Sequence, residues 1–146
     1  AHAANADTVD RLAADYDLVT GLAWRQFTGA DYDVFQTELA RYGIAVLTAW
    51  MRSRVIFQRV RDRGYGGLPE PPSGSMDDPD VVDELANETV AKALRHFRDD
   101  VLVPSKWDFR RGATLRTYFI GQCLIRFANI YRSWLAREDC WSAQRE

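Results

Sequence analysis

Histidine and cysteine are scarce in this 146-residue chain, with two of each. Cys123 and Cys140 form no CxxC pair, and His2 and His96 stand far apart, so no zinc quartet and no disulfide framework can be read. The thiols read as reduced and structurally incidental. No apolar run approaches the ~20 residues that span a bilayer, and Ala1 to Asn5 carry no basic region leading into an apolar stretch. No membrane span and a cytoplasmic location are therefore expected. A glycine-rich phosphate loop and a nucleophile motif are also missing, and the carboxylates gather at helix starts or in a linker rather than as a pair. The sequence thus points away from an enzyme and calls for no cofactor or metal.

What is present is an ordinary globular composition, 47% hydrophobic and 27% charged. A chain of this length suits one domain, at ~100–200 residues per domain. The net charge of −2 conceals sharp blocks. Residues 1–40 net −5, 41–63 net +5 through six arginines, 64–91 net −7 with no base, 92–137 net +7, and 138–146 net −2. For any single block a solvated helix face suffices as explanation. The last basic block is harder to dismiss, because its arginines alternate with Trp107, Phe109, Tyr118, Phe119, Phe127, Tyr131 and Trp134. Guanidinium for phosphate and rings for unpaired bases is the chemistry of single-stranded nucleic acid.

Helical periodicity dominates, with no convincing strand alternation and no internal repeat. A first helix is predicted from about Val9 to Phe27. A second runs from about Asp33 to Val60, with Phe35, Leu39, Tyr42, Val46, Ala49, Ser53, Ile56 and Val60 on one face, and ends at Gly64. Between Gly64 and Asp80 stand four glycines, four prolines and no base, which predicts a mobile linker. Asp78-Pro79-Asp80 reads as the start of a third helix bearing Val82, Leu85, Thr89, Ala93 and Phe97 on its apolar face. Ser105 to Ala113 reads as a structured loop, and Thr114 caps a fourth helix with Leu115, Phe119, Cys123, Phe127, Ile130 and Trp134 inward. The expected fold is all-α, a compact bundle of about four principal helices. Trp134 reads as a core anchor, Trp107 is open between core anchor and the basic-aromatic surface, and Trp24, Trp50 and Trp141 read as packing residues only.

Two stretches in order resemble the second conserved region of bacterial sigma factors, above all the extracytoplasmic-function type. Val82-Asp83-Glu84-Leu85-Ala86-Asn87-Glu88-Thr89-Val90 is similar to the family's Asp-Leu-x-Gln-Glu-x-Phe, with Asn87 for Gln and Val90 for Phe. Trp107-Asp108-Phe109-Arg110-Arg111-Gly112-Ala113-Thr114-Leu115-Arg116-Thr117-Tyr118-Phe119 is similar to Phe-Asp-Pro-x-Arg-Gly-Ser-Leu-Arg-x-Trp-Leu. A weaker match, Asp31 to Phe35 leading to Ala40-Arg41-Tyr42-Gly43, looks like the opening helix. The resemblance divides the chain into an N-terminal helical extension (1–30), a region-two-like domain (31–137) with a flexible insert (64–80), and a tail (138–146). Departures are the long proline-rich insert and the last helix, where Ile125 and Asn129 replace the family's Asn and Asp. No stretch resembles the helix-turn-helix module that reads the minus-thirty-five element.

The resemblance implies that Asp83, Glu84, Asn87 and Glu88 dock on the β′ clamp helices of core RNA polymerase, an acidic face suited to basic partner residues. It further implies that Lys106, Arg110, Arg111, Gly112 and Arg116 meet the minus-ten element of promoter DNA, arginine on phosphate and glycine allowing close backbone approach. Along the last helix Tyr118, Gln122, Asn129 and Arg132 fall on the more polar face and are assigned to the unpaired non-template strand, whereas Phe119 belongs to the core. The loss of Asn and Asp at 125 and 129 keeps an alternative open: a sigma-like adaptor that binds polymerase or an anti-sigma factor without reading DNA.

Overall fold

The computed structural model describes the backbone of residues 2–145 and the side chains of residues 6–140. His2, Trp141 and the tail side chains beyond Cys140 lie outside the described side chains. Five α-helices pack as a compact all-α bundle, with no strand among the described residues. They are α1 (His2–Ala23), α2 (Ala30–Arg52), α3 (Val55–Asp62), α4 (Pro79–His96) and α5 (Leu115–Arg145). α4 packs between α2 and α5, α3 bridges α2 and α5, and α1 rests on the loop that precedes α5. No described helix is long and apolar enough to cross a membrane.

The fifth helix arises because the long second segment breaks. Arg54 adopts a left-handed conformation (φ 66°), and the chain restarts as α3. Of the face expected over 35–60, Phe35, Leu39, Ile56 and Val60 are buried, whereas between Tyr42 and Ser53 the buried positions are shifted to Gly43, Leu47 and Met51. The buried stripe of α2 is Tyr32, Phe35, Leu39, Gly43, Leu47 and Met51, while Tyr42 and Val46 are half-buried and Ala49 is exposed. Helix α1 starts earlier than expected and ends at Ala23. Gln26 and Phe27 then turn through positive φ, which carries the Phe27 ring into the core from outside the helix. Arg98 holds this turn by donating from Nε to the Phe27 carbonyl oxygen (3.1 Å).

The third and fourth predicted helices match their cores. Asp78 caps α4 by accepting from the Asp80 N–H at 3.0 Å, with Pro79 in the first turn. Val82, Leu85, Thr89, Ala93 and Phe97 are buried, as are Leu115, Phe119, Cys123, Phe127, Ile130 and Trp134. Burial pushes the Cys123 thiol up to about 12, consistent with an inert core sulfur, whereas Cys140 is exposed. The α4 spiral loosens into a π-helical turn over Phe97–Leu102 before the loop.

The insert 64–80, expected as a mobile linker, is anchored along its length. Tyr131 Oη donates to the Pro69 carbonyl oxygen at 2.7 Å, Arg132 donates to the Tyr65 carbonyl oxygen at 3.2 Å, and Met76 is buried within a short 3₁₀ turn, Ser75–Asp77. Burial pushes the Tyr131 hydroxyl up to about 12, with Glu70 adding to the rise. The composition of the insert excludes a helix, but its backbone finds partners on α5 instead.

Core side chains of two helices crowd Gly43. A Cβ there would stand 2.9 Å from Phe119 Cε2 of α5 and 3.1 Å from Val90 Cγ2 of α4, both core side chains. We expect Gly43→Ala to lower stability by ~1–3 kcal/mol through overpacking. Gly21→Ala on α1 meets open space and is expected to be neutral or mildly stabilising, by at most ~1 kcal/mol. Denaturant midpoints of the two variants check this, and equal midpoints would mean that the three helices do not depend on the missing Cβ.

Candidate nucleic-acid interface

The loop between α4 and α5 is built by three local bonds. Trp107 Nε1 donates across the loop to the Ala113 carbonyl oxygen at 2.8 Å, while the indole is buried. Asp108 Oδ1 accepts from the Arg110 N–H at 2.9 Å and from Arg110 Nε at 3.2 Å, capping one turn of 3₁₀ helix over Phe109–Arg111. Gly112 closes the turn at φ 86°, where a side chain would be strained although the space is open. The loop thus projects Arg110 and Arg111 into solvent from a braced base.

The start of α5 is capped twice. The Thr114 hydroxyl oxygen accepts from the Thr117 N–H at 3.2 Å, and Asp15 Oδ2 of α1 accepts from the Leu115 N–H at 3.0 Å. A second α1 residue touches the same loop: the Tyr16 and Phe109 rings lie 4.9 Å apart. Neither contact is signalled by the sequence, because they join residues about a hundred positions apart.

Along α5 the outward stripe is Tyr118, Gln122, Ile125, Asn129 and Arg132, at helical spacings of four, three, four and three. Tyr118 is half-buried, its ring 6.1 Å from Phe97, while Phe119 is fully in the core. Gln122 and Ile125 are half-buried and Asn129 and Arg132 exposed, although Arg132 also holds the insert at Tyr65. Arg116 lies off this stripe, with its guanidinium 4.9 Å over the Tyr42 ring. Lys106 is exposed at the loop's entry and is near enough to Asp100 to help lower its pKa. The structure therefore gathers Tyr118, Gln122, Asn129 and Arg132 on one face and sends Arg116 to another.

On α4, Asp83, Glu84 and Asn87 are exposed, and Glu88 is half-buried. Glu84 reaches Arg137 of α5 at 3.9 Å, and Glu88 reaches Lys92 at 3.9 Å, both loose surface pairs worth little. Glu88 and Asn129, assigned by resemblance to different partners, line one shallow groove between α4 and α5. Arg126 lines it too, with its Nε buried and without a hydrogen-bond partner. Sequence reading passed over Arg126, although its position four residues beyond Gln122 puts it beside the polar stripe. In the same groove His96 Nδ1 and Asp100 Oδ2 are 2.9 Å apart, and this hydrogen bond is the main cause that holds the Asp100 carboxyl below its ordinary range.

The tryptophans divide. Trp134 is core, as expected, and Trp107 is core as well. Trp24, expected to pack, is 86% exposed in the turn after α1, because the chain leaves the helix there with its ring outward. Among the described residues no group of His, Cys, Asp and Glu could hold a metal ion.

The Asp108 carboxyl is held below the ordinary carboxylate range, first by the Arg110 main-chain N–H and then by the Arg110 charge. A lowered folded value means that this cap's contribution is full above the ordinary range and disappears as pH falls through the folded value. We expect Arg110→Ala, which keeps the N–H, to leave most of the depression in a carboxyl-carbon NMR titration. A return of Asp108 to the ordinary range would make the side chain, not the backbone, the cause.

Comparison with protein-family models, with curated proteins and with solved structures finds no match for this chain.

Proposed function

We propose that this chain is a sigma-region-two-like module that docks on core RNA polymerase through α4 and holds the unpaired non-template strand of a minus-ten element with the Arg110-Arg111-Gly112 loop and the outward stripe of α5. The observation that carries the reading is a braced, exposed arginine loop that leads along the chain into the helix bearing the outward stripe Tyr118, Gln122, Ile125, Asn129 and Arg132. Promoter opening takes bases out of the stack at a cost of a few kcal/mol each. Stacking and phosphate contacts on a rigid surface offset that cost, at about 1–3 kcal/mol per stacked base. The exposed Asp83 and Asn87 on α4 supply a separate acidic and amide surface for a basic partner helix.

A second reading, the adaptor that binds polymerase or an anti-sigma factor without reading DNA, draws on one observation. The acidic helix α1 already occupies one side of the loop through Tyr16 on Phe109 and Asp15 at Leu115.

In a pull-down titration with core polymerase, Asp83→Arg and Glu88→Arg are expected to weaken binding, with melting temperatures nearly unchanged because surface changes typically stay within about 0.5 kcal/mol. On a forked probe, Arg110→Ala and Arg111→Ala are each expected to reduce the log–log salt slope by about 0.7. Tyr118→Ala should cost affinity with little change in slope, since stacking releases no counterion. Equal affinity of the wild type for minus-ten-like and scrambled strands, with polymerase binding intact, would leave the adaptor. Unchanged polymerase binding by both α4 variants would remove α4 from the interface.

A further inference from the structure

A second basic and aromatic site lies off the stripe of α5, in a groove of about 610 Å³ between α2, α3 and the first turns of α5. Its floor is apolar, with Ile120 and Leu124 buried and Val46 half-buried. Tyr42 and Trp50 line it along α2, eight residues apart. Eight residues of helix span about 12 Å, room for a few nucleotides at a stacked rise of ~3.4 Å. Each ring carries a guanidinium: Arg116 stands 4.9 Å from the Tyr42 centroid and Arg59 stands 4.9 Å from the Trp50 centroid. A third, Arg63, lies against Gly121 of α5, where a Cβ would meet its guanidinium.

Among the described residues, none of these three guanidiniums makes an ion pair or donates a hydrogen bond to a protein group. Asp62, the one acid lining the groove, accepts from Gln58 Nε2 at 2.7 Å instead. The site is thus cationic within a chain of net −2. Two of its three guanidiniums stand over rings, and all three are exposed. Groups that combine a flat π surface with an anion satisfy both features at once. An acidic peptide would satisfy the charge but leave the paired ring platforms without a role.

We propose that this α2–α3–α5 groove is a single-stranded nucleic-acid site, with Trp50 and Tyr42 as stacking platforms and Arg59, Arg63 and Arg116 as phosphate donors. It goes beyond the minus-ten reading, because Trp50, Tyr42, Arg59 and Arg63 have no part in that surface and the groove can bind a strand without polymerase. Arg116 stands at the edge of the groove, reaching it over the Tyr42 ring.

The test is ultraviolet crosslinking of the full chain to an eight-nucleotide single strand carrying bromodeoxyuridine, with crosslinked residues mapped by mass spectrometry and affinities taken by anisotropy. Crosslinks at Trp50 or Tyr42 are expected. Trp50→Ala should weaken binding roughly tenfold, with Trp50→Phe recovering much of the loss, as alanine substitution of a stacking ring does. Arg59→Ala and Arg63→Ala, both at exposed positions, should each lower the salt slope by about 0.7. Crosslinks confined to 106–118 together with wild-type affinity in all four variants would overturn the groove while leaving the minus-ten reading standing. Crosslinks at Trp50 in a protein that neither binds polymerase nor prefers a minus-ten strand would sustain the groove and overturn that reading. Displacement of nothing by the strand, but saturation of the groove by an acidic aromatic peptide that protects Trp50, would assign it to a protein partner and overturn the proposal.

Discussion

At Gly43 the absence of a single methyl group sets how closely α2 can approach its neighbours. Phe119 of α5 and Val90 of α4 come to that one point from different helices. With these helices held together there, the inward faces of both α4 and α5 are committed to the core. What remains outward follows from helical geometry: Asp83 and Asn87 on α4, and the Tyr118 to Arg132 stripe on α5. The proposed surfaces are therefore by-products of the packing, two helix backs turned to solvent by the same contact.

The loop that joins those helices is braced rather than slack. The indole of Trp107, the carboxylate of Asp108 and the left-handed Gly112 each fix a different part of it. Two arginines held out from a fixed base lose less freedom on meeting a phosphate than arginines on a mobile loop, which is the general benefit of preorganisation. Helix α1 completes the arrangement by supplying Asp15 as a cap from outside the local sequence. An acidic helix thereby lies against the most basic segment, so the alternating charge blocks of the sequence meet in space as well as along the chain.

Helices α4 and α5 were legible because each is a long, uninterrupted helix with mostly aliphatic or aromatic side chains at its inward positions and a recognisable cap, Asp78 or Thr114. Helix α2 was legible only in part: Phe35 and Leu39 are inward as read, but the stripe then runs through Gly43, which apolar periodicity passes over, and the left-handed Arg54 that splits α2 from α3 carries no local signal. The insert 64–80 has the composition of a linker, yet it is tied down by Tyr131 and Arg132, partners about sixty residues away that no local pattern reveals. The polar face of α5 could be read from spacing alone. The diversion of Arg116 to Tyr42 and the two ring–guanidinium pairs of the α2 groove could not, since they depend on how helices cross.

In the proposed function two outward faces, meeting at the groove that Glu88 and Asn129 share, serve two partners in sequence. Hydrogen exchange by mass spectrometry tests it most directly, on the free chain, then with core RNA polymerase, then with polymerase and a forked promoter strand. The account predicts slowed exchange over residues 81–90 on adding polymerase, and new protection over 106–122 only on adding the strand. Protection of 106–122 by polymerase alone, or an unchanged 81–90 in the bound state, would contradict it.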